Sequence, residues 1–239
     1  MLSAGVEERP GEATRRAGRR RVTDAAGTKA ARALAAWIVA AAVLAWVWPP
    51  ALALPQLWML AAVSVLANAL QPAYSLFEGS RTAADRGTAV QIVWTVYLTQ
   101  IAALAELVLR RRVTLPLDAL AWLAFAVMLG GLALRTWAVL RLGRCFTWNV
   151  EVRPGQRLVQ DGPYRLIRHP SYTGALVTFV ASCVLLRSWI AAALAAAALP
   201  LAFRRRIGYE EALLAATFSE YRAYCARTGA LLPRLRRAR

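Results

Sequence analysis

Long apolar runs separated by short polar breaks dominate the chain. The first extends from about Arg32 to Trp48 and stops at Pro49-Pro50, a pair that ends a helix. A second covers about Leu52 to Phe77, with Pro55 and Pro72 near its ends. A third covers about Thr88 to Leu109 and is closed by Arg110-Arg111-Arg112; a fourth covers about Leu115 to Leu140. Each is close to the ~20 residues that cross a bilayer as a helix. The fifth run is different. Residues 172 to 203 are apolar except at Arg187-Ser188. That is too long for one span and short for two. An arginine at the bilayer centre costs at least about 2.5 kcal/mol. A tight helical hairpin turning at Arg187-Ser188 removes that cost and brings the polar groups at its two ends to one face of the membrane.

The pattern therefore predicts an all-α fold: a polytopic membrane helix bundle of about five to six transmembrane helices, with both termini inside. A cytoplasmic loop follows the fourth helix, and an amphipathic helix closes the chain. Residues 1–30 form a basic tail expected to be disordered, because they are rich in Arg, Ala, Gly and Glu and poor in large apolar types. Residues 31–140 hold membrane helices 1–4, and residues 141–239 form a distinct core containing the loop, the hairpin 172–203 and the final helix. Arg141, Arg144, Arg153, Arg157, Arg165 and Arg168 place the loop on the cytoplasmic side by the positive-inside rule. Arg110-Arg111-Arg112 would face outward in this topology and disagree with that rule. The many Trp residues read as interface or packing groups.

Composition supports the bilayer as solvent. Hydrophobic types make up 59% of the 239 residues, above the roughly half of ordinary soluble domains. The formal charge of +17 would suggest nucleic acid in a soluble protein. Here it reads as loops and tails facing anionic lipid, and basic segments with interleaved aromatics are absent from the sequence, so no nucleic-acid partner is expected. Cys145, Cys183 and Cys225 are far apart and odd in number, which supports neither a zinc site nor a disulfide framework. No metal is expected.

The chemistry concentrates in two places. Residues 161–174 read DGPYRLIRHPSYTG and hold the chain's single histidine, His169. A polar cluster beside a membrane is costly unless it binds something. One apolar hairpin later come Arg206, Glu210 and Glu211. Leu214, Phe218, Tyr221 and Cys225 recur at helical spacing, and extending that stripe back one turn lands on Glu210, which then aims a carboxylate at the packed face. Plainer explanations exist: His169 as a helix cap, the acids as complements to a helix N-terminus, and Arg206 as part of a membrane-flanking Arg204-Arg205-Arg206 run.

Leu158-Val159, Gly162-Pro163-Tyr164, Arg168-His169-Pro170-Ser171-Tyr172 with Gly174, and then Glu210-Glu211 and Leu214 resemble the isoprenylcysteine carboxyl methyltransferase family of integral membrane methyltransferases, related to the phospholipid methyltransferases. Phe218, Tyr221, Tyr224, Thr228 and Leu232-Pro233 resemble that family's C-terminal end, so the likeness covers roughly residues 141 to 235. It implies methyl transfer from S-adenosylmethionine, with S-adenosylhomocysteine as product, to the carboxylate of a prenylated cysteine or similar lipidic acceptor. The implied cofactor residues are Asn149, Gln156, Arg157, Leu158, Val159, Tyr164, His169, Pro170, Ser171, Tyr172, Glu210 and Glu211. The implied catalytic residues are Arg206, facing the acceptor carboxylate, and Glu210. Gln156 replaces the histidine often found there in eukaryotic members. Alternatives are a methyltransferase for a small thiol, amine or phospholipid headgroup, and an NADPH-dependent membrane reductase of the sterol type. The expected partners are the acceptor and membrane lipids.

Overall fold

A computed structural model describes residues 10–71, 85–112 and 114–234. Seven helices form among them: α1 (Pro10–Val47), α2 (Pro55–Leu70), α3 (Thr88–Leu109), α4 (Ala119–Leu142), α5 (Pro170–Leu185), α6 (Trp189–Thr217) and α7 (Tyr221–Arg227). Extended structure among the described residues is limited to one bridge, Ile167 with Gly229. The all-α bundle is thus as the apolar pattern predicts. Gly27–Val47, Thr88–Leu109 and Ala119–Cys145 are long and apolar enough to cross a membrane, and α2 and α5 are shorter apolar helices. Ile38, Trp46, Leu98, Leu109, Leu123, Leu140 and Leu201 are exposed, as suits a surface in contact with lipid rather than water.

Local chemistry sets the ends of these helices. Pro55 and Pro170 stand at the first turns of α2 and α5, where a missing N–H costs nothing. Asp118 caps α4, accepting from the Ala121 N–H at 3.0 Å. The hairpin turns where its polar pair predicts. Arg187 takes a left-handed conformation, φ 55°, and its guanidinium reaches Asp118 at 2.5 Å, while the Ser188 hydroxyl donates to the Ala103 carbonyl at 2.7 Å. At that end of the bundle Arg110 pairs with Glu106 at 3.0 Å, and Glu106 accepts from the Ala191 N–H at 3.1 Å. The arginine run that disagreed with the charge rule therefore has a local partner for Arg110.

Three boundaries differ from expectation. The second run begins with a 3-10 turn over Pro49–Ala53, and α2 ends at Leu70; residues 72–77 of that run lie outside the described residues. In the N-terminal tail, residues 1–9 also lie outside them, and from Pro10 the backbone is helical, consistent with the helix-forming Ala and Arg there. The third difference matters most. No new helix begins directly after Phe203. Helix α6 continues to Thr217, carrying Arg206, Glu210 and Glu211 on the same rod as the second arm of the hairpin. Polarity changes after Phe203, but nothing there breaks a helix. The break comes at Phe218, whose backbone is extended, so Leu214 and Tyr221 lie on different helices rather than on one stripe.

Helices α4 and α5 pack at glycine distance. A Cβ on Gly174 would stand 2.5 Å from the Gly131 carbonyl oxygen and 2.7 Å from the Arg135 nitrogen. The glycine of the RHPSYTG motif is therefore a contact requirement. It lets the first turn of α5 lie directly on α4. After α7, the chain returns to this turn: Arg168 N–H donates to the Gly229 carbonyl at 2.9 Å, His169 N–H to that of Ala230 at 3.0 Å, and the Thr173 hydroxyl to that of Leu231 at 2.6 Å.

Candidate active site

The start of α5 and the emergent end of α6 meet as the hairpin geometry predicts. His169, at the N-terminal boundary of α5, makes no side-chain cap to that helix. Its imidazole is buried, with Nε2 3.1 Å from Glu211 Oε1 and Nδ1 3.5 Å from Glu210 Oε2. The Tyr172 hydroxyl donates to Glu210 Oε1 at 2.6 Å. The His169, Tyr172 and Phe203 rings form a stacked row, with centroids 5.7 Å and 4.9 Å apart.

Arg206 is the hub. It is buried at 3% exposure while Arg204 and Arg205 are exposed, so the basic run contains one residue of another kind. Its Nε donates to the Tyr172 hydroxyl and to Glu210 Oε1, each at 2.8 Å. One terminal nitrogen binds Asp85 and reaches Thr88 Oγ1 at 3.4 Å; the other donates to the Trp148 carbonyl at 2.6 Å. Both Glu210 and Arg206 sit on the inner face of α6, one turn apart. Arg168 completes the chain of contacts, 2.8 Å from Glu211 Oε1. Burial alone would raise the Glu211 carboxyl; the contacts with His169 and Arg168 outweigh it and bring it down to about 2. Glu211 is therefore ionised throughout the working range.

Asp85 was not legible in the sequence. It is fully buried just before α3, and its carboxylate also accepts from the Thr88 hydroxyl at 2.9 Å. A lone Asp in a polar loop looks like an ordinary helix cap, and 121 residues separate it from Arg206. Arg135 was missed too. It lies in apolar α4, and its guanidinium donates to Ser171 Oγ at 2.9 Å and to the Ser171 carbonyl at 3.2 Å.

The remaining expected residues are distributed differently. Pro170 starts α5 and Ser171 receives Arg135. Tyr164 is buried as a strut: its hydroxyl donates to the Ala138 carbonyl at 3.3 Å, its own carbonyl accepts from the Tyr224 hydroxyl at 2.7 Å, and burial pushes its phenol well above the ordinary value. Asn149 is half-buried beside Trp148, and its carbonyl accepts from the Thr147 hydroxyl at 2.7 Å. Gln156, Arg157, Leu158 and Val159 lie in irregular chain after a turn. The Gln156 side chain accepts from the Arg153 N–H at 3.0 Å, and among the described residues no hydrogen bond or ion pair joins this run to the His169 cluster.

An open groove of about 440 Å³ lies between α4 and α5, bounded also by Ala196 of α6. Its lining is aliphatic, including Leu120, Val127, Leu176, Val180 and Val184. It begins one turn beyond Tyr172, about 6 Å along the α5 axis, and runs toward the far turn. It is an aliphatic groove open to the surface, separate from the place where the polar groups meet.

Comparison with known proteins points the same way. Residues 122–216 match the model of the isoprenylcysteine carboxyl methyltransferase (ICMT) family. The chain is 36% identical over 106 residues to protein-S-isoprenylcysteine O-methyltransferase B of Arabidopsis thaliana, covering 43% of this chain and 54% of that protein. It is 31% identical over 115 residues to a probable protein-S-isoprenylcysteine O-methyltransferase of Oryza sativa subsp. indica, covering 47% and 60%. It is also 32% identical over 114 residues to the nickel-cobalt-cadmium resistance protein NccN of Alcaligenes xylosoxydans xylosoxydans, covering 48% and 53%. Among the described residues, no group of three or more His, Cys, Asp or Glu side chains stands in a metal-holding arrangement. The chain spans about half the length of the curated relatives it matches. The matched segment, from the first turn of α4 to the end of α6, contains the RHPSYTG turn and the Arg206–Glu210–Glu211 face, and in this segment the chain is similar to the isoprenylcysteine carboxyl methyltransferase family.

Proposed function

We propose that this chain is an integral membrane methyltransferase that moves a methyl group from S-adenosylmethionine to the carboxylate of a prenylated cysteine or a similar lipidic acid, with its site facing the cytoplasm. The observation that carries this reading is the joined network of His169, Tyr172, Arg206, Glu210 and Glu211 beside an open aliphatic groove.

The residues fit a cationic cofactor. Asp85, Glu210 and Glu211 supply three carboxylates to the network, whereas Arg168 and Arg206 supply two guanidiniums. The surplus carboxylate and the stacked ring faces of His169 and Tyr172 suit a ligand carrying a positive charge. S-Adenosylmethionine, when bound, supplies an electrophilic methyl group. His169, Tyr172, Glu210 and Glu211 would hold it, with Pro170, Ser171 and Tyr164 shaping the turn and Asn149, Gln156, Arg157, Leu158 and Val159 bordering it.

The protein's part in such a reaction is positioning. A carboxylate acceptor is ionised at neutral pH and needs no general base. In-line alignment of two reactants supplies several kcal/mol of the barrier reduction on its own. Arg206 fixes Tyr172 and Glu210 relative to α3 and the loop, so it acts as a positioning residue. The aliphatic groove would hold the prenyl chain.

The test is product analysis. Purified full-length protein in lipid nanodiscs, given S-adenosylmethionine and N-acetyl-S-farnesylcysteine, should yield a methyl ester that releases methanol on mild base treatment. A methylated thiol, amine or lipid headgroup with no ester formed would overturn the acceptor assignment.

A further inference from the structure

Arg135 carries a charge that the site described so far does not use. It lies two turns inside α4, in a run of Ala, Leu, Val and Trp. A guanidinium at such a place is costly unless it is paired. The other shielded arginines near it obey that rule: Arg168 holds Glu211 and Arg206 holds Glu210 and Asp85. The far-side Arg187 holds Asp118. Among the described residues no carboxylate lies within ion-pair distance of Arg135. One terminal nitrogen is taken by Ser171, and the guanidinium stands 5.8 Å from the Trp148 ring centroid. Its Nε and other terminal nitrogen make no hydrogen bond among the described residues, so one edge of the fork is open. That edge has the geometry that binds a carboxylate with two parallel hydrogen bonds.

Its position ties it to the candidate site. Ser171 belongs to the RHPSYTG turn, next to Tyr172. Trp148 lies between the two arginines, its carbonyl accepting from Arg206 and its ring facing Arg135. The Gly174 contact fixes the α4 backbone at Arg135 against α5. Arg206 itself cannot offer a two-pronged grip in this arrangement, because Nε and both terminal nitrogens are already engaged.

We infer that Arg135 is the anion-binding residue of the site and that its open edge takes a ligand carboxylate. The inference rests on the methyltransferase reading, in which two ligands carry that group: the lipidic acceptor and the amino-acid head of the cofactor. The expectation that Arg206 faces the acceptor gives way, in this inference, to a division of labour. Arg206 orders the protein side of the site and Arg135 holds the ligand.

The experiment measures binding, so it does not depend on turnover. Wild-type protein, Arg135→Gln and Arg135→Lys are titrated in nanodiscs with S-adenosylhomocysteine, with N-acetyl-S-farnesylcysteine, and with the carboxamide of the latter. Lysine keeps the charge and loses the fork; it also provides a folded comparison if glutamine is not tolerated. Wild type should prefer the carboxylate over the carboxamide by about tenfold or more, as expected for a charge-assisted pair. Loss of that preference in the variants, with S-adenosylhomocysteine affinity within about threefold of wild type, supports the inference and names the acceptor as the source. A tenfold loss for S-adenosylhomocysteine with the acceptor preference intact supports it and names the cofactor head. Folded variants that change neither overturn the inference and leave the methyltransferase reading standing. Failure of wild type to bind S-adenosylhomocysteine overturns both.

Discussion

Replacing Arg206 with Ala is expected to cost more than any other single truncation in the site. The guanidinium joins four parts of the chain: the segment before α3 through Asp85, the loop after α4 through the Trp148 carbonyl, α5 through Tyr172, and its own helix through Glu210. Removing it leaves Asp85, at 0% exposure, without its counter-ion. Breaking a buried pair from one side costs about 3–5 kcal/mol, because the abandoned charge remains desolvated. Tyr172 and Glu210 lose their common donor at the same time, and a displacement near 1 Å at a reacting centre costs about a hundredfold in rate. The variant should therefore show a lowered melting temperature and a fall in kcat/KM of at least about two orders of magnitude. Asp85→Asn separates the two effects. The amide can still accept from the Thr88 hydroxyl but carries no charge. The double variant Arg206→Ala/Asp85→Asn should recover part of the lost stability and none of the lost rate. Additive losses in melting temperature would show that the pair is not coupled in the way its geometry indicates.

Gly174→Ala is the second large effect, and it acts through packing alone. The new methyl would meet backbone atoms of α4, the Gly131 oxygen and the Arg135 nitrogen, at 2.5 Å and 2.7 Å. Backbone cannot rotate away as a side chain can. Helices α4 and α5 must separate, at a cost of about 1–3 kcal/mol for overpacking and more where the backbone has to move. The separation carries Ser171 away from Arg135 and shifts the turn that holds His169 and Tyr172. Gly130→Ala provides the control. A Cβ there meets nothing within 4 Å, and replacing a helical glycine by alanine stabilises by about 0.5–1 kcal/mol. Gly174 and Gly130 should therefore respond with opposite signs: Gly174→Ala lowers the melting temperature and activity, Gly130→Ala leaves activity unchanged and raises the melting temperature slightly. Equal tolerance at both would contradict the close α4–α5 crossing.

The parts of this structure visible in the sequence were those written in local patterns. The hairpin turn at Arg187-Ser188 could be placed because one charged residue interrupted an apolar run too long for a single span. The meeting of His169 with Glu210 and Glu211 followed from that turn. Arg206 was singled out by its one-turn spacing to Glu210, and its burial beside two exposed arginines separates it from a membrane-flanking cluster. What sequence did not reveal depends on contacts between distant segments. Asp85 is of a residue type common at helix starts, and its carboxylate does accept from the Thr88 hydroxyl at the start of α3; only the folded chain brings it to Arg206. Arg135 reads as one charge near the end of an apolar helix, and its significance comes from the absence of a neighbouring carboxylate. The change from apolar to polar residues after Phe203 suggests a helix end that the folded chain does not have. Hydrogen bonding along the backbone is indifferent to that change, and the helix continues until Phe218 adopts an extended conformation.

The role of Gly174 shows how one residue can link fold and site. In the sequence it closes a recognisable motif. In the fold it is the point where α5 touches α4, and that contact aligns the motif's polar residues with α6. Substitutions that alter the crossing should therefore behave as site variants although no ligand need touch them.

The central claim is that the network around His169 and Glu210 holds a nucleoside sulfonium cofactor. The most direct measurement is calorimetric titration of S-adenosylhomocysteine into folded, full-length protein in nanodiscs, with His169→Ala and Glu210→Ala measured alongside. Micromolar binding by wild type that falls at least about tenfold in both variants, with their melting temperatures retained, is the predicted result. Absence of binding by folded wild type, or binding that neither substitution weakens, would contradict it.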